Sequence, residues 1–314
     1  MATTNQLTVA VAQSTVAQDP ERNLEIIDGV AKDAAARSAR LLVLPEGLIA
    51  RDGDDDGFAA AHAQPVDGPF VQGLRRISAE RGIALMGTVH VLEAPDAKAD
   101  AGLNAEPGAG AAMATTRDVE DRMHQVHQMR QACESGRTGS PRVSNMFLVI
   151  RDGEIIAAYR KLHLYDAFAA RESDVVRPGT ELPPIVDIDG WKIGVMTCYD
   201  VRFPETARSL AVRGADVIVV SAAWVRGAAK EYHWSLMTTA RAVENTCYVL
   251  ACSEVSKRNI GCSRIVGPLG EVIAQAGESE AEMITATLDR AALADARRTL
   301  PVLDNRRFAD PVLR

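Results

Sequence analysis

Trp191-Lys192-Ile193-Gly194-Val195-Met196-Thr197-Cys198-Tyr199-Asp200-Val201-Arg202-Phe203-Pro204-Glu205 reads as a strand, a sharp turn carrying a cysteine, and the start of a helix. The apolar run through Val195 and Met196 has the length of a buried strand, and Pro204 followed by Glu205 is good first-turn helix chemistry. Cys198 would then sit at the carboxyl end of a strand, the edge where open α/β sheets bind ligands, and a nearby helix N-terminus favours thiolate over thiol. The alternative is a small buried core residue, the commonest state of a free cysteine. Five cysteines, at 133, 198, 247, 252 and 262, are odd in number, scattered and free of any CxxC pair, which argues against a disulfide framework or zinc knuckle. Only Cys198 occupies a strand-to-helix turn.

Working outward, the turn Asp189-Gly190 joins Ile185 to Ile188 with Trp191 to Val195 as a hairpin that runs into Cys198. Upstream, Met146 to Ile150 and Ile155 to Tyr159 flank Asp152-Gly153 as another hairpin, which delivers Lys161. Leu7 to Ala12 predicts an opening strand, Pro20 to Arg37 a helix, and Leu41 to Leu44 a strand buried on both faces that ends at Glu46. A helix over Pro69 to Arg81 leads into a strand over Ile83 to Val91. Downstream, the pattern predicts a helix to Arg213, strands over Asp216 to Val220 and Tyr248 to Ala251 with a helix over Tyr232 to Glu244 between them. Short strands follow over Ser263 to Val266, Glu271 to Ala274 and Met283 to Leu288, with a last helix over Arg290 to Arg298. Strands and helices alternate in two loosely similar halves, which predicts two sheets packed face to face between helix layers. From Glu93 to Arg142 the text turns to alanine, glycine and proline and then to Gln, Arg and His without apolar period. It reads as an inserted surface segment in one domain spanning 1–314.

The 314 residues are 47% hydrophobic, enough for a large core, and a net charge of −7 with scattered arginines offers no field for a nucleic-acid backbone. No apolar run is long enough to span a membrane, and the first six residues lack a signal peptide's pattern. The expectation is a soluble cytoplasmic protein with no nucleic-acid or membrane partner.

A thiol attacks a carbonyl as thiolate or with a base beside it, and a leaving amine needs a proton. Glu46 could do both jobs, and its place after an apolar strand predicts a pKa raised by desolvation. The oxygen of a tetrahedral intermediate needs donors or positive charge, which the Tyr199 backbone amide and Lys161 could supply. Each of Glu46, Lys161 and Cys198 follows an apolar strand, so all three would meet at one edge of a sheet sandwich. Taken singly, the glutamate reads equally as a solvated residue and the lysine as a surface cation. His163 invites a Cys–His dyad, but nothing in its spacing brings it to Cys198, and it reads as a supporting residue.

Leu44-Pro45-Glu46, Tyr159-Arg160-Lys161-Leu162-His163-Leu164 and Gly194-Val195-Met196-Thr197-Cys198-Tyr199-Asp200-Val201-Arg202-Phe203-Pro204-Glu205, in that order, resemble the three signature segments of the nitrilase, or carbon–nitrogen hydrolase, superfamily. The resemblance implies a four-layer α-β-β-α sandwich, assembly into a homodimer or larger homo-oligomer, and a Glu-Lys-Cys triad with no metal or other cofactor. It makes Glu46 the general base and acid, Lys161 the stabiliser of the tetrahedral intermediate and Cys198 the nucleophile, with Glu172 positioning the lysine and the water. Lys161 to Phe168, Ser221 to Gly227 and Leu300 to Phe308 resemble the branch of bacterial deaminated-glutathione amidases. That branch hydrolyses an amide of a glutathione whose amino group has become a keto group. Such a substrate carries carboxylates, for which Arg226 or Arg202, beside Trp224, is the expected contact, while Arg202 is equally readable as a buried structural ion-pair partner.

Other activities of the superfamily, on ω-amides, N-carbamoyl groups or nitriles, stay open at this point. So does a non-catalytic assembly protein that uses the Glu93 to Arg142 segment to contact a partner. The segment departs from the superfamily's short connection. Its His124, His127 and Cys133 have the spacing of a metal site only in part, and a polar loop helix is the reading adopted.

Overall fold

The computed structural model describes residues 5–53, 55, 57–93, 143–168, 170–278, 280–309 and 313. Strands β1 (Gln6–Gln13), β2 (Leu41–Val43), β3 (Gln64–Pro65), β4 (Ala84–Leu92), β5 (Val143–Arg151), β6 (Glu154–Arg160) and β13 (Glu282–Asp289) form one sheet, in the order β13-β1-β2-β4-β5-β6 with β3 beside β4. Strands β7 (Ile185–Ile188), β8 (Trp191–Thr197), β9 (Val217–Ala222), β10 (Tyr248–Ser253), β11 (Arg264–Val266) and β12 (Val272–Gln275) form the other, in the order β12-β11-β10-β9-β8-β7.

The period-two alternation of the strands decides the layering. Leu7, Val9 and Val11 of β1 face the second sheet and meet Ile193, Val195, Val219 and Leu250 in a core between the sheets. Ala10 and Ala12, on the opposite face of β1, pack with Ile27, Ala31, Leu74 and Ile77 of helices α1 (Pro20–Ala36) and α3 (Pro69–Arg81); a short α2 (Phe58–Ala61) lies between those two in the chain. The outer face of the second sheet, Met196, Ile218, Val220 and Val249, packs with Leu210 of α4 (Pro204–Val212) and Trp234 of α5 (Lys230–Val243). The result is the four-layer α-β-β-α sandwich, closed in sequence by α6 (Arg290–Thr299). Strands β2 and β4 are parallel, and β4, β5 and β6 are successively antiparallel. The carboxyl ends of β2, β4 and β6 therefore lie at one edge with the start of β5, while β8, β9 and β10 run parallel in the facing sheet.

Sequence boundaries differ from the structure at element ends. The helix expected from Tyr232 begins at Lys230, and a 3-10 turn over Cys198–Arg202 precedes α4. Short polar ends are read by side-chain partners distant in sequence, which local pattern does not contain. Leu92 pairs with Val143, so the strands leading into and out of the inserted segment are neighbours. Residues 94–142 themselves, with His124, His127 and Cys133, lie outside the described residues. Among the described residues no helix is long and apolar enough to cross a membrane.

Candidate active site

Cys198 directly follows β8 with φ of 44°, a left-handed value that a β-carbon makes costly, of order 1–3 kcal/mol. The strain falls where an extended strand turns directly into the 3-10 turn, and it presents the thiol to a cleft of about 970 Å³, part of it open to solvent. The thiol is 8% exposed and hydrogen-bonds to the Glu46 carboxylate.

Glu46 reaches the same point from the end of β2. The Leu44 carbonyl accepts from the Ser221 hydroxyl at 2.8 Å and the Glu46 amide donates to the Ala222 carbonyl at 3.2 Å, so the ends of β2 and β9 are tied across the two sheets. Glu46 Oε1 accepts from Lys161 Nζ at 3.0 Å and from Asn145 Nδ2 at 2.8 Å, and Oε2 accepts from the Ala223 amide at 2.9 Å. Lys161, only 2% exposed, follows β6 and also donates to both oxygens of Glu172, at 3.1 and 2.8 Å. Glu172 is itself held by the Tyr165 amide at 2.7 Å. The structure thus brings Glu46, Lys161, Glu172 and Cys198 into one buried cluster with the Tyr199 residue on its wall.

The electrostatics correct one expectation. Burial does push the Glu46 carboxyl upward, but the charges of Lys161 and Arg51 and the hydrogen bonds from Lys161 and Cys198 outweigh it and hold the group below the usual carboxylate range. Burial likewise works against the Lys161 ammonium, and Glu172 and Glu46 reverse that, so the lysine stays charged. The Cys198 thiol is pushed far upward by burial and by the Glu46 charge. The resting pair is therefore a carboxylate beside a neutral thiol, with the single proton on sulfur. Moving that proton to Glu46 as sulfur attacks leaves the cluster's net charge unchanged, which favours the transfer in a buried site.

Asp200 ties the nucleophile turn to the lysine turn. Its fully buried carboxylate accepts from the Thr197 amide at 2.9 Å, the Tyr159 hydroxyl at 2.9 Å and the His163 amide at 3.1 Å, and lies 2.7 Å from His163 Nδ1. His163 stacks on Phe203 at 3.7 Å, and this contact and the one to Asp200 occupy its ring in place of the thiol. Sequence reasoning left Asp200, Asn145 and His90 unassigned. The visible signal was a polar residue inside an apolar strand in the case of Asn145 and His90. His90 is buried on the cleft wall, where burial and the nearby Arg51 charge lower its pKa to about 3.

The expected carboxylate contacts divide. Trp224 and Arg202 line the cleft, with the Arg202 guanidinium 4.7 Å from the Trp224 ring centroid and its Nε buried without a partner. Among the described residues it has no carboxylate partner, which removes the structural ion-pair reading. Arg226 is placed elsewhere: its Nε donates to the Ser256 carbonyl at 3.2 Å and its Nη2 to the Glu278 carbonyl, and it is absent from the cleft lining. The expectation of a substrate contact there is corrected, because those carbonyls turn the guanidinium onto the backbone. No group of three metal-ligating side chains is brought together among the described residues.

A sandwich of this layering with a cysteine, two carboxylates and a lysine at its sheet edge defines a class of hydrolase, and comparison with known proteins gives its family. The carbon–nitrogen hydrolase profile matches residues 8–298, and the chain belongs to that family. It is an enzyme acting on C–N bonds. A deaminated glutathione amidase of Escherichia coli O157:H7 is 38% identical over 305 residues, covering 97% of this chain and 99% of that protein. A hydrolase of Mycobacterium tuberculosis is 32% identical, covering 95% and 94%. Among solved structures, Nit3 of Saccharomyces cerevisiae, described as a member of branch 10 of the nitrilase superfamily, aligns with a TM-score of 0.72 at 26% identity over 98% of both chains.

Proposed function

We propose that the protein is a cytoplasmic amidase that cleaves a small carboxylate-bearing amide, with deaminated glutathione the substrate class, through a thioester on Cys198. The observation that carries this reading is the buried cluster in which one ammonium bridges two carboxylates while one of those carboxylates also meets the nucleophile's thiol. The near-full-length similarity to the Escherichia coli amidase supports the substrate class.

Sulfur attacks the amide carbon as its proton passes to Glu46. The carbonyl oxygen becomes an oxyanion that accepts from the Tyr199 amide and from Lys161 Nζ. Tyr199 stands in the first turn of the 3-10 segment, where amides lack intrahelical acceptors. Glu46 returns its proton to the departing nitrogen, the C–N bond breaks, and the amine or ammonia leaves behind a thioester. Water then enters, gives a proton to Glu46 and its oxygen to the acyl carbon. Collapse of this second intermediate breaks the C–S bond, with the proton returning to sulfur, and frees the acid. Glu172 keeps Lys161 charged and aimed throughout.

Assembly into a homodimer belongs to the same reading, supported by Tyr232 and Leu236, two exposed hydrophobic side chains on α5. The experiment that tests the chemistry is mass spectrometry of protein quenched after brief exposure to glutaramate or deaminated glutathione. An acyl adduct on Cys198 is expected, together with loss of turnover in Cys198→Ala; undiminished turnover in that variant would overturn the mechanism.

A further inference from the structure

The same cleft holds a second arrangement that the thioester chemistry does not use. Lys230, the first residue of α5, is 5% exposed, lines the cleft and has no carboxylate partner among the described residues. Its ammonium donates to the Tyr165 hydroxyl at 2.8 Å and lies 4.0 Å from the Phe168 ring centroid, 5.2 Å from that of Tyr165 and 6.0 Å from that of Trp224. The backbone is strained to build this box: Ala229 and Phe168 both take left-handed φ, at 59° and 60°, the first turning the chain into α5 and the second in the loop that sets the aromatic ring beside the ammonium. Arg202, also without a carboxylate partner among the described residues, approaches the same Trp224 ring.

Burial disfavours the Lys230 ammonium, and the like charge of Arg202, which shares the Trp224 ring without a counter-ion among the described residues, adds to the cost. Both effects lower the proton affinity of Lys230. Aromatic faces stabilise a cation but cannot neutralise it. A carboxylate placed between the ammonium and the guanidinium would relieve both charges at once.

We propose that Lys230, with Arg202, anchors the carboxylate on the acyl half of the substrate and is the residue that makes the enzyme selective for acidic over neutral amides. This rests on the amidase reading above for its catalytic consequence, though not for the existence of the anion site. Lys230 binds the substrate and takes no part in proton transfer.

Two measurements test it with glutarate, glutaramate and butyramide as probes. Calorimetric titration of glutarate into the unmodified enzyme should show binding, weakened in Lys230→Met by roughly 10- to 100-fold, the range expected for a charge-assisted hydrogen bond. Lys230→Arg should restore most of the affinity. In turnover, the ratio of kcat/KM for glutaramate to that for butyramide should fall by a similar factor in Lys230→Met, whereas a merely structural lysine would lower both rates and leave the ratio. No binding of glutarate, equal binding by the unmodified and Met proteins, or an unchanged ratio would each overturn the proposal. If neither amide is turned over by the unmodified enzyme, the amidase reading fails and the titration alone decides the anion site.

Discussion

Asp200→Asn isolates the joint between the nucleophile and the lysine. The two carboxylate oxygens divide four contacts: Oδ2 serves the Thr197 amide and the Tyr159 hydroxyl, Oδ1 the His163 amide and His163 Nδ1. An amide side chain has one acceptor oxygen. Whichever way it is flipped, its NH2 group faces a backbone N–H that cannot reverse, Thr197 on one side or His163 on the other. Tyr159 offers no escape, since its hydroxyl oxygen already accepts from the Leu162 amide at 3.1 Å. At a fully buried position the clash leaves a backbone donor unpaired, which costs about 2–4 kcal/mol once the lost charge-assisted bond is included.

For a chain of this length that loss lowers the melting temperature by roughly 3–6 °C. The effect on catalysis is argued separately. Thr197 immediately precedes Cys198 and His163 lies two residues past Lys161, so loosening either contact lets sulfur and ammonium drift relative to each other. A misplacement of about 1 Å costs on the order of 100-fold in rate. Differential scanning calorimetry and kcat measured well below the melting range, on one preparation, check both parts, and KM should change less than kcat because Asp200 is absent from the cleft lining. Tyr159→Phe is the comparison: it removes the hydroxyl that donates to Asp200 and leaves the Leu162 amide without its acceptor, at a cost of about 1–3 kcal/mol, but keeps both backbone N–H contacts of Asp200. The reasoning is refuted if Asp200→Asn melts within about 1 °C of the unmodified enzyme and keeps its kcat within about two-fold.

Gly179→Ala should be far more damaging than its surface position suggests. A β-carbon there would stand 2.2 Å from the Arg160 carbonyl oxygen, and the Gly179 amide donates to the Lys161 carbonyl at 2.8 Å, so relief of the clash must move the backbone that carries Lys161; activity falling at least about ten-fold, with reduced thermal stability, is expected. Stability against pH has a definite sign at Glu46. Its folded pKa lies below the ordinary value of 4.5, so its contribution is fully present above that value and disappears as pH falls through the lower folded one. In Lys161→Met the strongest cation is gone and burial dominates, so the difference in urea midpoint between the two proteins should shrink as pH falls from 6 to about 3; a difference that grows with acidity would contradict the assignment.

Much of this site was legible because strand ends are legible. The hairpins around Asp152-Gly153 and Asp189-Gly190 fix where β6 and β8 begin, and the lengths of their apolar runs then place Lys161 and Cys198 just past the strand ends, at one edge of the sandwich. The sign of the Glu46 shift was not, because burial can be read from an apolar run whereas an ammonium 3.0 Å away, 115 residues along the chain, cannot. Arg226 and Arg202 illustrate the same limit. Both stand near apolar strands, and what separates them is a pair of carbonyls at Ser256 and Glu278 for one and an indole face for the other. Lys230 sits two residues ahead of where apolar periodicity places the helix, so pattern alone assigns it to a loop, and Tyr165, whose hydroxyl it meets, stands 65 residues upstream.

The charges inside the cleft are arranged rather than merely numerous. At the catalytic cluster two carboxylates, Glu46 and Glu172, are matched by the Lys161 ammonium and the nearby Arg51 guanidinium, which leaves no excess of positive charge there. Around Trp224 two cations face the cleft without a carboxylate partner among the described residues. The carboxylate of an incoming acid amide is therefore drawn to the two cations at Trp224, which leaves its neutral amide to approach Cys198. After catalysis hydrolysis creates a new carboxylate at Cys198, beside Glu46, where it is disfavoured, so the product acid is held more weakly than the amide it came from. The cations at Trp224 thus orient the substrate before attack while Glu46 weakens the hold on the product afterwards, and neutralising Lys230 weakens the first effect and leaves the second.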